Sequence, residues 1–477
     1  MRARDYGEVF TPDWMVNLMV ASVEAPTTAI HARTLDLCAG TGAFYLKVLH
    51  NRLSNLPEEP DLATCVHTVG NVYAVELLTD NIHQCYQAAL KLLDVHHLKR
   101  QIKDVLAKIL QANIIQADVL KNPPTHFPSW HVTPDGTVEA SLEPAAGFFR
   151  TIISNPPYQK NISGSTEQNR LRNHSKATPI YHLFYDYALS LNPDLMVFII
   201  PAKWYTGGWG LDAWRVKTLE DPALREIHDY RDSNHVFPGV EVNGGICWMV
   251  RDVNHTGNII VERHNRTGQL LSSTNRPALE PGANFFIRDE NAVSILNKTR
   301  SLQLPDQDKF STLILSTTPF GIPSNFKEYS LTQTPETPHK LLYIKNKEYW
   351  VADEHVTRNK NQVDKWKVFV SLSFNQHSPQ VVNTPHVYGP GSVCTHSYLC
   401  VAGFRNETEA RNAAVYMQTR FFRYLAGLLK ISPIATRNVY RLIPVQDWSA
   451  PVTDEQLYRK YQLTDVEIQH VRNTVSL

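Results

Sequence analysis

The chain has 477 residues, 43% of them hydrophobic and 19% charged, with a formal net charge of +1. That length exceeds an ordinary single domain and supplies apolar side chains for two or three cores, so at least two domains are expected. The near-neutral balance excludes a basic field over the whole molecule and leaves any polyanion site as a local patch.

The opening segment MRARDYGEVFTP has no apolar signal core, and the longest apolar runs, such as Leu195 to Ile200, are far too short for a bilayer. Cysteines at 38, 65, 85, 247, 394 and 400 form no C-x-x-C pair, so no metal is expected. A soluble cytoplasmic protein with no membrane partner fits both features. From Thr34 to about Arg251, apolar runs alternate with amphipathic segments: TLDLCAG, GNVYAVEL, ANIIQADVL, RTIISNPPY, LMVFIIPA and GGICWMVRD. Strands spaced by helix-sized gaps predict an α/β domain with a doubly wound, mostly parallel sheet. Residues 121–150 interrupt that rhythm, and Pro134-Asp135-Gly136 predicts a hairpin turn there. Residues 1–300 are therefore read as one domain carrying an insert at about 121–150. Residues 301–477 are read as a mixed α+β domain with a helical end, whose last two helices open on Thr453-x-x-Gln456 and Thr464-x-x-Glu467 capping boxes.

Three strand ends carry the first chemistry. In LDLCAGTGAF (35–44), Gly40 and Gly42 allow a tight turn that brings a ligand against the main chain. Asp36 is placed to meet a ligand ammonium or a bridging water. Glu76 ends the next strand, where an acidic side chain takes two ribose hydroxyls, and Asp118 ends the third, where a carboxylate accepts an exocyclic amine. The pattern Asp-x-x-x-Gly-x-Gly lacks the third glycine of a dinucleotide fingerprint, which favours S-adenosylmethionine as the cofactor.

The stretch TIISNPPY (151–158) carries the second. An adenine amino group is a poor nucleophile because its lone pair is delocalised into the ring. The Asn155 side-chain oxygen and the Pro156 carbonyl are acceptors able to hold its two N–H bonds and aim the lone pair at a methyl donor. Proline fixes φ, and Pro157 confines Pro156 to extended geometry, so that carbonyl is preorganised. Tyr158 supplies a stacking face for a base drawn out of a duplex.

Together these motifs resemble the gamma-class adenine-N6 DNA methyltransferases of restriction-modification type. The resemblance covers nearly the whole chain, running through GEVFTPDWMVNLMV (7–20), the strand-end acids, NPPY, VFPGVEVNGGICWMV (236–250) and TTPFGIPSNF (317–326). It implies a Rossmann-like catalytic domain, a C-terminal target recognition domain at 301–477, and methyl transfer to a flipped adenine in double-stranded DNA. It also implies that Thr11 and Pro12 open a helix beside the methionine moiety of the cofactor, that Cys38 belongs to the cofactor turn in a place where relatives often carry other residues, and that Phe237 packs on the flipped base.

Residues 311–450 hold 15 Lys and Arg against 9 Asp and Glu, a local excess suited to phosphate contacts. The polar loop 159–179, with Arg170, Arg172 and Lys176, is read as a segment that closes over DNA. No nuclease motif stands out, so a separate restriction endonuclease subunit is the expected partner for cleavage. Protein glutamine-N5 methylation poses the same amide-nitrogen problem to the same tetrapeptide, and a non-catalytic DNA-specificity subunit would keep the fold; both stay as rival readings.

Overall fold

The computed structural model describes residues 9–23, 32–96, 98–160, 178–207, 210–240, 242, 244–265, 267–373, 381–430 and 434–475. The proposed DNA-closing basic residues 170, 172 and 176 lie outside them. The chain divides into two compact units, Met1–Leu279 and Glu280–Leu477. The helix Glu290–Lys298 falls in the second, ahead of the boundary at 300 expected from composition, because Ser294 and Lys298 each bond the Glu467 carboxylate at 2.6 Å.

The first unit is built on a nine-stranded sheet. Strands β1 (Thr34–Asp36), β2 (Val72–Glu76) and β3 (Ile114–Gln116) pair in parallel. The insert forms the hairpin β4 (His126–Val132) and β5 (Val138–Pro144) around Pro134-Asp135-Gly136. It is stapled to one helix and one strand of the sheet layer: Trp130 donates to the Asn113 side chain at 2.9 Å, and Tyr73 of β2 donates to the Pro128 carbonyl at 2.7 Å. Strand β6 (Thr151–Ser154) pairs with β1, and β7 (Gln159–Lys160) with β8 (Thr178–Pro179) forms a short ribbon apart. Strand β9 (Leu195–Pro201) pairs with β6, again in parallel. Strands β1, β2, β6 and β9 are buried on both faces, so their sequences read as continuous apolar runs.

The other half of the sheet departs from the expectation. β11 (Ile246–Asp252), read as one more parallel strand, runs antiparallel between β9 and β10 (Leu224–Tyr230). Residues 231–245, with the one-turn helix Ser233–Val236, join β10 to β11 as a reversal. A run buried on both faces carries no signal of direction. Strands β12 (Ile259–His264) and β13 (Leu270–Arg276) extend that edge and were hidden by their polar sequences.

The second unit holds two three-stranded sheets, followed by helices Glu407–Gln418, Arg420–Leu429, Asp454–Lys460 and Asp465–Thr474. Its core gathers Phe320, Leu341, Leu342, Val351, Phe369 and Val393. Thr453 and Thr464 close the capping boxes read from sequence.

Two glycines test the backbone demands. Gly42 has φ +96°, and a Cβ there would meet Cys85 Sγ at 2.5 Å, whereas Gly136 has φ +85° with nothing within 4 Å. Gly136→Ala should therefore cost about 1 kcal/mol from backbone strain alone, and Gly42→Ala roughly 3 kcal/mol from strain plus overpacking. Urea unfolding of the two variants measures the gap, and equal losses would contradict it.

Candidate active site

The chain steps outward from β1 to β2 and β3, then returns to β6 on the other side of β1. Ligands of open α/β sheets bind in the crevice outside the strand carboxyl ends where order reverses in this way. A cleft with about 870 Å³ of empty space lies there, opening to solvent. Thr11, Cys38, Gly40, Glu76, Asp118, Asn155 and Pro157 all line it.

Glu76 fixes the turn as well as facing the cleft. Its Oε2 accepts the Gly40 N–H at 2.8 Å, and its Oε1 accepts the Leu78 N–H at 2.9 Å. The carboxylate thus ties the glycine turn after β1 to the end of β2. Asp118 is differently occupied. Its Oδ1 accepts the Leu120 and Lys121 N–H groups at 3.1 Å each, and Lys121 Nζ stands 3.1 Å from Oδ2. Partial desolvation raises the Asp118 pKa, but Lys121 and those backbone donors outweigh it, and the carboxyl sits below its ordinary value. An exocyclic amine approaching Asp118 therefore competes with a solvent-exposed lysine.

Asp36 lies beneath the cleft wall. It is 3% exposed, and its Oδ2 accepts the Tyr45 N–H at 3.0 Å. Burial pushes its pKa up to about 7; the Tyr45 hydrogen bond opposes this and the Glu76 charge adds to it. Burial likewise raises the Cys38 thiol, which stays neutral, with Ser154 beside it. Gly42 and Pro12 also sit outside the cleft lining; Pro12 opens the helix Asp13–Ala21, its carbonyl accepting the Met15 and Val16 N–H groups.

Asn155 follows directly on β6, and its orientation is set from the N-terminal segment. Its Nδ2 donates to the Val9 carbonyl at 2.7 Å and to Thr11 Oγ1 at 3.0 Å. Both amide hydrogens are then used, and the acceptor Oδ1 is the capacity left for a ligand. Pro157 reaches the cleft, while Pro156 and Tyr158 are buried. Tyr158 is 9% exposed and its hydroxyl has no hydrogen-bond partner among the described residues. Phe237 is 2% exposed and meets Tyr158 edge-on with ring centroids 6.4 Å apart, so both rings belong to the core in this conformation. The sequence reading missed Val9, Phe10 and Phe184 as lining groups. Phe10 is an aromatic 55% exposed next to Thr11, a signal that only its exposure reveals.

Residues 38–237 match the model of the Eco57I restriction-modification methylase family. That stretch, less than half of the chain, is similar to the methylases of this family. Over 158 residues, 32% of the chain, it is 36% identical to a Mycoplasma pneumoniae (strain ATCC 29342 / M129 / Subtype 1) protein described as an uncharacterized adenine-specific methylase. That alignment spans about a third of the relative's length (33%). The fold is that of solved restriction-modification enzymes. The Type IIL enzyme MmeI, solved in complex with DNA, aligns over 100% of this chain and 77% of its own, with TM-score 0.52 and 10% identity. DrdV, from a DrdV–DNA complex, aligns over 99% of this chain and 58% of its own, with TM-score 0.51 and 12% identity. The matched stretch spans the glycine turn, the two acidic strand ends Glu76 and Asp118, and NPPY, and begins just after Asp36.

The buried Asp36 gives the first unit a pH signature. Its pKa in the folded chain lies above the unfolded value, so the folded state keeps a proton that the unfolded chain has released between about pH 4 and pH 7. Its contribution to stability therefore falls as pH rises through that window, by at most about 1.4 kcal/mol per pH unit, and levels off above it. Asp36→Asn should remove this component. Urea unfolding at pH 5 and pH 7.5 should show a shallower loss of stability in the variant, and identical slopes would contradict the assignment.

Proposed function

We propose that the chain is a site-specific adenine-N6 DNA methyltransferase that uses S-adenosylmethionine and acts as the modification component of a restriction-modification or related defence system. The observation that carries this reading is the clamped Asn155 carboxamide, whose remaining acceptor shares one cleft with the glycine turn, Glu76 and Asp118. The cleft residues fit the cofactor by chemistry. Glu76 offers a carboxylate for ribose hydroxyls, Asp118 one for the adenine amine, and the glycine turn lets a ligand approach the backbone, with Asp36 behind it. When bound, S-adenosylmethionine supplies an electrophilic methyl group on a sulfonium.

The chain's own part is orientation. Asn155 Oδ1 and the Pro156 carbonyl accept the two N–H bonds of the target amine, which turns its lone pair out of conjugation with the ring. Val9 and Thr11 hold Asn155 so that its oxygen, and not its NH2, meets the substrate. The two prolines keep the second acceptor from relaxing. Tyr158 is the stacking face for the flipped adenine and Phe237 the ring that packs on the base, once the two leave the buried edge-on contact they make here. Basic residues of 301–477 supply phosphate contacts and target choice, and cleavage falls to a separate nuclease.

Asn155→Ala should reduce methyl transfer to duplex DNA by more than about a hundredfold while S-adenosylmethionine still binds by calorimetry. Glu76→Ala should weaken that binding instead, by roughly tenfold or more. Methylation of a peptide amide in preference to DNA would sink the reading in favour of a protein methylase. Thr11 is a positioning residue: Thr11→Val should lower kcat about tenfold with KM for the cofactor nearly unchanged, and Thr11→Ser should restore it. A Thr11→Ser variant as slow as Thr11→Val would argue against the clamp.

A further inference from the structure

Far along the sheet from this cleft, three side chains converge. His228 on β10 and Glu262 on β12 are direct partners in the parallel register, and His264 lies two residues on from Glu262, on the same face. His228 Nδ1 stands 3.1 Å from Glu262 Oε2, and His264 Nε2 stands 3.7 Å from the same oxygen. All three potential ligand atoms lie within 4.8 Å of one another. Ligands about 2.1 Å from a tetrahedral metal sit about 3.4 Å apart, which both distances bracket.

Two further observations point to a ligand. The His264 side chain is nine-tenths buried, and its Nε2 has no hydrogen-bond partner among the described residues although it is aimed at the cluster. Each imidazole is also held by its other nitrogen: His228 Nε2 lies 3.0 Å from Glu226 Oε2, and His264 Nδ1 lies 3.3 Å from the Gly268 carbonyl. A carboxylate or a carbonyl behind each ring is the outer arrangement that orients metal-binding histidines. Ring stacking fixes the planes as well. His228 lies on Trp248 with centroids 3.5 Å apart at 6°, and His264 on Tyr230 at 4.2 Å and 3°.

We propose that His228 Nδ1, Glu262 Oε2 and His264 Nε2 form a binding site for one divalent transition-metal ion of the zinc class, with solvent completing the coordination. The ion ties β10 to β12, and through Glu262 and His264 fixes the turn that leads into β13. On binding, the proton shared between His228 Nδ1 and Glu262 leaves to solvent. The site stands apart from the methyl-transfer chemistry and serves the antiparallel edge of the sheet.

The test uses the full chain, stripped with chelator, dialysed and titrated with zinc chloride. One zinc per chain should remain after gel filtration, and melting temperature should rise by a few degrees. His264→Ala and Glu262→Gln should each lose that zinc, and Glu226→Gln should bind it roughly tenfold more weakly. Cobalt(II) substitution of the wild type should give a ligand-field spectrum without a thiolate charge-transfer band, which decides the ligand set even if a variant fails to fold. Absence of stoichiometric zinc in the wild type, zinc retained equally by the variants, or a thiolate band would each overturn the proposal, the first leaving only an ion pair of His228 between two glutamates.

Discussion

The chemistry proposed for this chain depends on which end of one carboxamide faces the cleft. Asn155 can present an oxygen or an NH2, and the two have opposite consequences for an amine that must be held by acceptors. The Val9 carbonyl and the Thr11 hydroxyl settle the matter by consuming both N–H groups. Two acceptors on the same nitrogen make the flipped orientation costly, because it would set the amide oxygen against a carbonyl and strand the NH2. A hydrogen bond left unmade at a part-buried site costs about 1–3 kcal/mol, enough to bias the orientation by a factor of ten or more.

That clamp explains why a segment ahead of the first strand belongs to the site. Residues 9–12 are joined to the sheet by the helix Asp13–Ala21, whose Met15, Val16, Met19 and Val20 enter the same core as the glycine-turn helix Ala43–Ser54. Packing of an apolar helix face thus fixes a polar bond more than a hundred residues away in sequence. The three acids then divide by environment. Asp36 is fully desolvated and holds a proton near neutrality, Glu76 is pinned by backbone donors, and Asp118 is kept ionised by Lys121 and its own turn. Carboxylates at three successive strand ends thus meet three different environments, set by burial and by hydrogen-bond partners.

Legibility followed the same division. Motifs that repeat a local grammar, strand then turn then acid, could be read in order because each needs only its immediate neighbours: LDLCAG, VYAVE, IIQAD and the Asp135-Gly136 turn all fall where the pattern puts them. What depends on distant partners could not be read. Nothing around Val9 announces a carbonyl aimed at Asn155, and nothing in LREIHDY announces a buried strand, since Glu226, His228 and Asp229 break its apolar pattern, and His228 is satisfied by Glu226 on its own strand and by Glu262 across on β12. Strand direction was equally silent: β11 is apolar on both faces whichever way it runs. The boundary near 280 is set by the bonds of Ser294 and Lys298 to Glu467, a long-range contact that composition does not encode.

The two halves of the sheet therefore answer to different constraints. Around β1 the strands are short, parallel and apolar, and their function is to deliver loops to one edge, so the sequence can spend its polar residues at the strand ends. From β9 to β13 the pairing is antiparallel except between β10 and β12, which run parallel, and the sheet must end. An exposed edge invites pairing with other chains unless charge or covering blunts it. Polar side chains inside these strands do this blunting, at the cost of burying titratable groups such as His228. Buried titratable groups persist only with partners, and the Glu226, Glu262 and His264 constellation is the set of partners that this edge provides. The same pressure that ends the sheet thereby gathers, away from the cleft beside β1, a group of imidazole and carboxylate atoms that a wholly apolar strand could not have held.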